Sequence, residues 1–162
     1  MPESSSAAPV PNTPSAGTPA IFQERLWPNV WMWIIAAGVS SAGILVFAPI
    51  TWAAGYTAAG VLFVIISVLL VVSTPSIVVT GDTLTVGRAT IERRFIGAVE
   101  TFREKEATAQ RGTRLNGLAY LCIRGWIDPV VRIEITDPSD RTPYWLTSTR
   151  RPEELAAALT GK

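Results

Sequence analysis

Glu134, Asp137 and Asp140 are carboxylates spaced closely enough to read as a cluster that holds a cation or moves a proton in this 162-residue chain. Carboxylates at such spacing can bind a hard cation. Here Pro138 and Pro143 interrupt the stretch, and the regular acidic spacing and glycine of a calcium loop are missing. Asp137-Pro138-Ser139-Asp140 therefore reads as a turn. The chain has no histidine, which removes the commonest general base and the commonest metal ligand. Its single cysteine, Cys122, excludes an intramolecular disulfide and paired-cysteine metal sites, and its apolar surroundings make it a small buried hydrophobe. Carboxylates, hydroxyls and Lys105 remain as reactive groups, with no nucleophile spaced to meet a base. We therefore assign no catalytic residue, metal or cofactor, and read the chain as non-enzymatic.

Candidates for binding are better defined. Arg93-Arg94 and Arg150-Arg151 are paired cations that could meet anionic headgroups, although Glu92, Glu153 and Glu154 offer ordinary surface partners. Tyr144-Trp145, followed by Ser148, Thr149 and Arg150, is the densest aromatic and polar mixture outside the apolar segments. Side chains alternate along a strand, so one of the two rings is expected in the core and the other at the surface. Trp126, Tyr144, Trp145 and Arg150 are accordingly the expected interaction face, and Arg93 and Arg94 the expected headgroup contacts. A net charge of only +1 carries no nucleic-acid signature.

These residues must be positioned by elements of two very different kinds. From Leu26 to Gly81 there is no Asp, Glu, Lys or Arg, and all 14 basic residues lie outside that window. One helical crossing of a bilayer takes about 20 apolar residues, so the window holds two. Pro49 and Thr51 mark the reversal, giving helices over about 29–48 and 52–72, with Pro28 in the first turn. Trp27, Trp31 and Trp33 at one end, and Trp52 and Tyr56 at the other, suit the two interfacial levels. Gly38 with Ala42, and Gly55 with Ala59, have the small-residue spacing that lets helices approach in lipid, while Leu62, Val64, Ile65, Val68 and Leu69 make a bulky face directed at lipid or at another protein. No basic residue precedes Arg25, so the first crossing is read as retained, not as a cleaved signal. Arg25 before the helices and Arg88, Arg93 and Arg94 after them, with none at the reversal, put both ends in the cytoplasm.

Residues 1–21, rich in Ser, Pro and Ala, read as a disordered tail; 22–75 as the hairpin; 76–162 as a cytoplasmic α+β domain. In the last of these, Ile77–Val79 and Thr83–Val86 form a hairpin about Gly81-Asp82, with further strands near 90–91, 96–101, 120–123, 130–136 and 144–148. Helices are expected over 103–111, ended by Gly112, and from Pro152 to Leu159, where Glu153 and Glu154 favour the N-terminus. The run Ile77 to Gly87, followed by Ile91 and Ile96 to Val99, resembles the opening strands of pleckstrin-homology-like barrels that follow transmembrane hairpins. The resemblance implies a small antiparallel barrel closed by a C-terminal helix, with a mixed two-layer sheet as the competing fold.

A wider resemblance runs from Phe22-Gln23-Glu24-Arg25-Leu26-Trp27 to Leu159, and is most specific over Val131-Arg132-Ile133-Glu134-Ile135-Thr136-Asp137-Pro138 and on through Tyr144-Trp145 to Pro152. Over these residues the chain resembles an actinobacterial, alanine-rich two-pass membrane family that carries only a domain-of-unknown-function label. It departs from that family at Arg141, where proline is expected, and in its N-terminal extension. The resemblance implies a membrane protein with no activity to carry over. The expectation is an integral protein of the inner (plasma) membrane that serves as an accessory or scaffold subunit. Its expected partners are the lipid bilayer and a membrane protein or larger envelope complex. The alternative is headgroup or small-ligand binding by the juxtamembrane domain.

Overall fold

The structure, a computed structural model, describes residues 19–161, so most of the tail expected over 1–21 lies outside the described residues. The first apolar helix, α1 (Val30–Phe47), starts where the Asn29 side chain accepts the Met32 N–H at 3.2 Å. Pro28 therefore stands just before the cap, not in the first turn. Thr51 caps α2 (Trp52–Val72) in the same way, accepting the Ala54 N–H at 3.1 Å. At a rise of 1.5 Å per residue the helices are about 27 and 32 Å long, each long and apolar enough to cross a membrane. Only 17% and 6% of their apolar windows are buried, so neither is a core helix of the β domain. Hydroxyls on them bond back to the preceding turn, as Ser40 does to the Ala36 carbonyl at 2.7 Å and Ser67 to that of Phe63 at 2.7 Å, leaving few polar groups to solvate.

The two helices meet along small residues, but on a face of α1 other than the expected one. Ala36 and Ser40 are buried and Gly43 lies against the Ala59 backbone, whereas Gly38 and Ala42 are exposed and a Cβ added at Gly38 would meet open space. On α2 the expected stripe holds, with Gly55 buried against the Ile44 backbone. Small residues four apart occur on α1 both as Gly38 with Ala42 and as Ala36 with Ser40, and only the neighbouring helix selects which pair is used.

The helix pair is inserted between two paired strands. Strand β1 (Phe22–Arg25) runs antiparallel to β2 (Ser76–Val79), from Phe22 opposite Val79 to Arg25 opposite Ser76, and the Leu26 N–H continues the ladder to the Pro75 carbonyl at 3.0 Å. β3 (Thr83–Val86) and β4 (Ala89–Glu92) complete a sheet in the order β1-β2-β3-β4. Gly87, at φ +63°, makes the tight turn between them. A second sheet has the order β5-β7-β8-β6, from β5 (Ile96–Phe102), β6 (Tyr120–Cys122), β7 (Val130–Ile135) and β8 (Tyr144–Ser148). Helix α3 (Glu104–Arg111) follows β5, and α4 (Pro152–Thr160) ends the fold.

The mixed α/β architecture is as expected, but the antiparallel barrel is not formed. The strands lie in two separate sheets with no closing ladder among the described residues, and β6 joins β8 in parallel. One core lies between the sheets, where Leu26, Ile77, Val79, Leu84 and Val86 meet Val131, Ile133 and Trp145, with Leu155 and Leu159 of α4 sealing one side. A smaller core lies behind the second sheet, where Tyr144 and Leu146 meet Ala107 of α3. Strand β8 is thus covered on both faces.

Substituting Gly55 tests the helix contact. A Cβ there would meet the Ile44 carbonyl oxygen at 3.1 Å and its Cα at 3.2 Å, both backbone atoms that cannot rotate aside. Gly55→Leu is expected to lower stability by about 1–3 kcal/mol in detergent-resistance unfolding, while Gly38→Leu causes no loss. Equal effects at both positions would refute the assigned face.

Candidate functional site

The region that gathers charged and aromatic residues is where the helix pair joins the sheets. Two arginines hold the backbone there, one at each helix. Arg150 donates to the Trp27 carbonyl at 2.6 Å, just before α1, and Arg124 donates to the Ser73 carbonyl at 2.6 Å, just after α2. Trp126 donates its indole N–H to the same Trp27 carbonyl at 3.2 Å, Arg25 stacks over the Trp27 ring at 4.4 Å, and Arg124 lies 5.9 Å from the Trp126 ring centre. Arg88, on the Gly87 turn, faces solvent nearby, since Gly87 itself bonds to the Ser76 carbonyl at 2.8 Å. Among the described residues Arg25, Arg88, Arg124 and Arg150 have no carboxylate at ion-pair distance.

The one carboxylate inside this region is buried. Glu24 is 7% exposed, faces inward from β1, and accepts the Thr149 hydroxyl together with the Arg150 N–H at 3.0 Å. Thr149 in turn accepts the Arg151 N–H at 3.1 Å, and Arg151 donates to the Gln23 carbonyl at 2.7 Å. This network fastens β1 to the loop before α4. Sequence reading missed it because a glutamate between Phe22 and Leu26 looks like a break in an apolar pattern. The signal available was the alternation itself, since Phe22, Glu24 and Leu26 share the inward side.

Of the expected interaction face, Trp126 and Arg150 lie together at the Trp27 carbonyl. Tyr144 and Trp145 do point to opposite faces of β8, but both are inside, each 4% exposed. The expected surface ring is absent because β8 is a central strand covered on both sides, with Trp145 5.1 Å from Tyr120 and the Tyr144 hydroxyl accepting the Asn116 N–H at 2.8 Å. Arg93 and Arg94 lie at the other end of the first sheet, beside the Gly81-Asp82 turn, about 13 Å along four-residue strands from the helix ends. Arg93 donates to the Ala158 and Leu159 carbonyls at 2.7 and 3.0 Å, capping α4, and Arg94 pairs with Glu92 at 2.8 Å.

The three acidic residues near the β7–β8 turn do not converge. Glu134 accepts the Ala98 N–H at 3.0 Å where β5 bulges, Asp140 accepts that of Thr142 at 2.9 Å, and Asp137 accepts both the hydroxyl and the N–H of Ser139. Those two Ser139 bonds hold the Asp137 carboxyl below its usual range. No group of three metal-ligating side chains occurs among the described residues.

Glu24 and Cys122 each yield a measurable expectation. Glu24→Ala leaves the Arg150 N–H and Thr149 hydroxyl without their acceptor and is expected to destabilise the domain by about 1–3 kcal/mol, with the loss shared by Thr149→Val in a double-mutant cycle; independent effects would refute the network. Burial pushes the Cys122 thiol above its ordinary value of 9.0, with Arg124 opposing the shift. The unfolded thiol ionises first, so this contribution is complete below pH 9 and is lost as pH rises through the folded value. Maleimide at neutral pH is expected to label unfolded protein and leave the folded chain essentially unmodified; equal rates would show an accessible thiolate.

No curated protein and no solved structure matches the chain. A family model described as protein of unknown function (DUF3093) matches residues 21–159, a span that takes in β1, both apolar helices, both sheets and α4 up to Leu159. The strand pair, the inserted helices and the arginine-held join thus all lie within one family unit, and the chain belongs to the DUF3093 family.

Proposed function

We propose that the chain is a non-enzymatic integral membrane protein that crosses the inner (plasma) membrane twice, keeps both ends in the cytoplasm, and holds its two-sheet domain at the membrane surface as an accessory or scaffold subunit of a larger envelope assembly. The observation that carries this reading is the join between helices and sheets. Both chain segments leading from the helices enter one ladder, and Arg124 and Arg150 clamp the adjacent carbonyls, so the domain has no flexible linker. A domain held in one orientation at a surface suits the presentation of a fixed face to a neighbour.

The orientation is supported by charge. Short-flank positive residues stay cytoplasmic, and the join carries Arg25, Arg88, Arg124 and Arg150, while the reversal at Pro49 and Ile50 carries none. The non-enzymatic reading is supported by the separate engagement of Glu134, Asp137 and Asp140 with backbone N–H groups. The excess of Arg over Lys, twelve to two, suits a high-GC genome such as an actinobacterial one. The second reading, recognition of a headgroup or small ligand by the juxtamembrane domain, is favoured by a cleft beside Arg88 and Arg124.

Alkaline phosphatase inserted after Ile50 is expected to be active, and a fusion after Gly161 inactive. The reverse pattern overturns the orientation, and inactivity at both sites overturns the crossing. Crosslinking in native membranes is expected to join the chain to a second membrane protein; recovery of the monomer alone would sink the accessory role.

A further inference from the structure

The cleft where α2 meets the sheets has a volume of about 420 Å³ and is lined by Ser73, Thr74, Ser76, Arg88, Tyr120 and Arg124, with Leu121 and Val72 at its margin. None of its lining residues is acidic. Arg124 is held in place through the Ser73 and Ile123 carbonyls, and its buried Nε has no hydrogen-bond partner. That anchoring offsets the partial negative charge of the α2 C-terminus, and leaves exposed Arg88 as an unneutralised cation across the cleft. The turn that carries Arg88 is made by Gly87 at φ +63°, a backbone conformation that favours glycine, beside Tyr120 and Cys122.

A second hollow, about 260 Å³, adjoins the cleft. Its lining of Ser67, Val68, Val71 and Val72 exposes only apolar surface, and Val72 belongs to both. A cationic, hydroxyl-lined cleft therefore continues into an apolar groove on a helix that faces outward. Leu121, 44% exposed beside Val72, extends the apolar margin.

We propose that this composite site holds an anionic glycerophospholipid, its phosphate between Arg88 and Arg124 and one acyl chain along Val68, Val71 and Val72. The assignment rests on the membrane-spanning reading above, which puts the end of α2 at headgroup level. Two arginines match a phosphodiester, while the absence of a carboxylate leaves no partner for the ammonium of a zwitterionic headgroup. The site therefore discriminates by what it lacks as well as by what it has.

The test uses the full chain in nanodiscs of phosphatidylcholine doped with phosphatidylglycerol, with bound lipid read by native mass spectrometry after release and membrane insertion read on matched vesicles by carbonate extraction. Wild type is expected to retain phosphatidylglycerol over phosphatidylcholine. Arg88→Gln is expected to lower that preference about tenfold, as for loss of one charge-assisted contact. Arg94→Gln, at the far end of the first sheet, is expected to leave it unchanged. Unchanged preference in Arg88→Gln, or an equal loss in Arg94→Gln, overturns the site. Displacement of the lipid by glycerol 1-phosphate overturns the lipid as occupant in favour of a free phosphate ester. Loss of preference in the wild type with carbonate-resistant insertion overturns the site alone, whereas extraction by carbonate overturns the membrane reading on which it rests.

Discussion

The β1–β2 ladder is the constraint on which the other features depend. Paired strands lie about 4.8 Å apart, whereas packed helices lie about 8–10 Å apart, so a helix pair inserted between two strands must begin and end almost at one point. Only an antiparallel hairpin meets that condition. The close contact of Gly55 with Ile44, and of Gly43 with Ala59, keeps the pair narrow. The residues between ladder and helices, Trp27 to Asn29 on one side and Ser73 to Pro75 on the other, absorb the change of spacing. Fully buried Leu26 anchors the first of these segments in the core, a contribution of about 1.5–3 kcal/mol.

Such a join exposes a difficulty that arginine resolves. Carbonyls beside a helix end lack ladder or helical partners, and at a low-dielectric boundary an unmet carbonyl is costly. Arg150 and Arg124 meet the carbonyls of Trp27 and Ser73, Arg93 does the same for the end of α4, and Arg151 covers the Gln23 carbonyl on an edge strand. Arginine suits this use because its guanidinium offers several donors in a fixed plane and stays charged. Arg151 also pairs with Glu154 at 3.0 Å, whereas Arg93, Arg124 and Arg150 are held by neutral carbonyls with no carboxylate at ion-pair distance among the described residues. The positive field at the join is thus a by-product of capping, available to an anionic surface.

Much of this was legible in advance. The charge-free window and its median proline were enough to place α1 and α2 nearly to the residue, because lipid-compatible helices must satisfy their own backbone and carry a long apolar run. The later strands and the helices α3 and α4 were legible from alternation, composition and caps. Other features resisted. Strand β1 was not recognised, since its glutamate makes sense only beside Thr149 and Arg150. The exposed face of β8 was misjudged, because alternation reports two faces and is silent on whether both are covered. Arg124 and Arg150, far along the chain from the helices, gave no sign of lying at their ends.

Where the chain is apolar, where it turns and which segments are extended or helical can be read from residue order, because those properties depend on neighbours a few residues apart. Long-range packing is what pairs a strand before the helices with one after them, divides the strands into two sheets instead of a closed barrel, and gathers Arg25, Arg88, Arg124 and Arg150 around the helix ends. The physical reason is separation along the chain. A hydrogen-bond ladder or a capped carbonyl selects among distant segments by geometry and mutual satisfaction, and a local pattern records that a segment can pair without recording its partner.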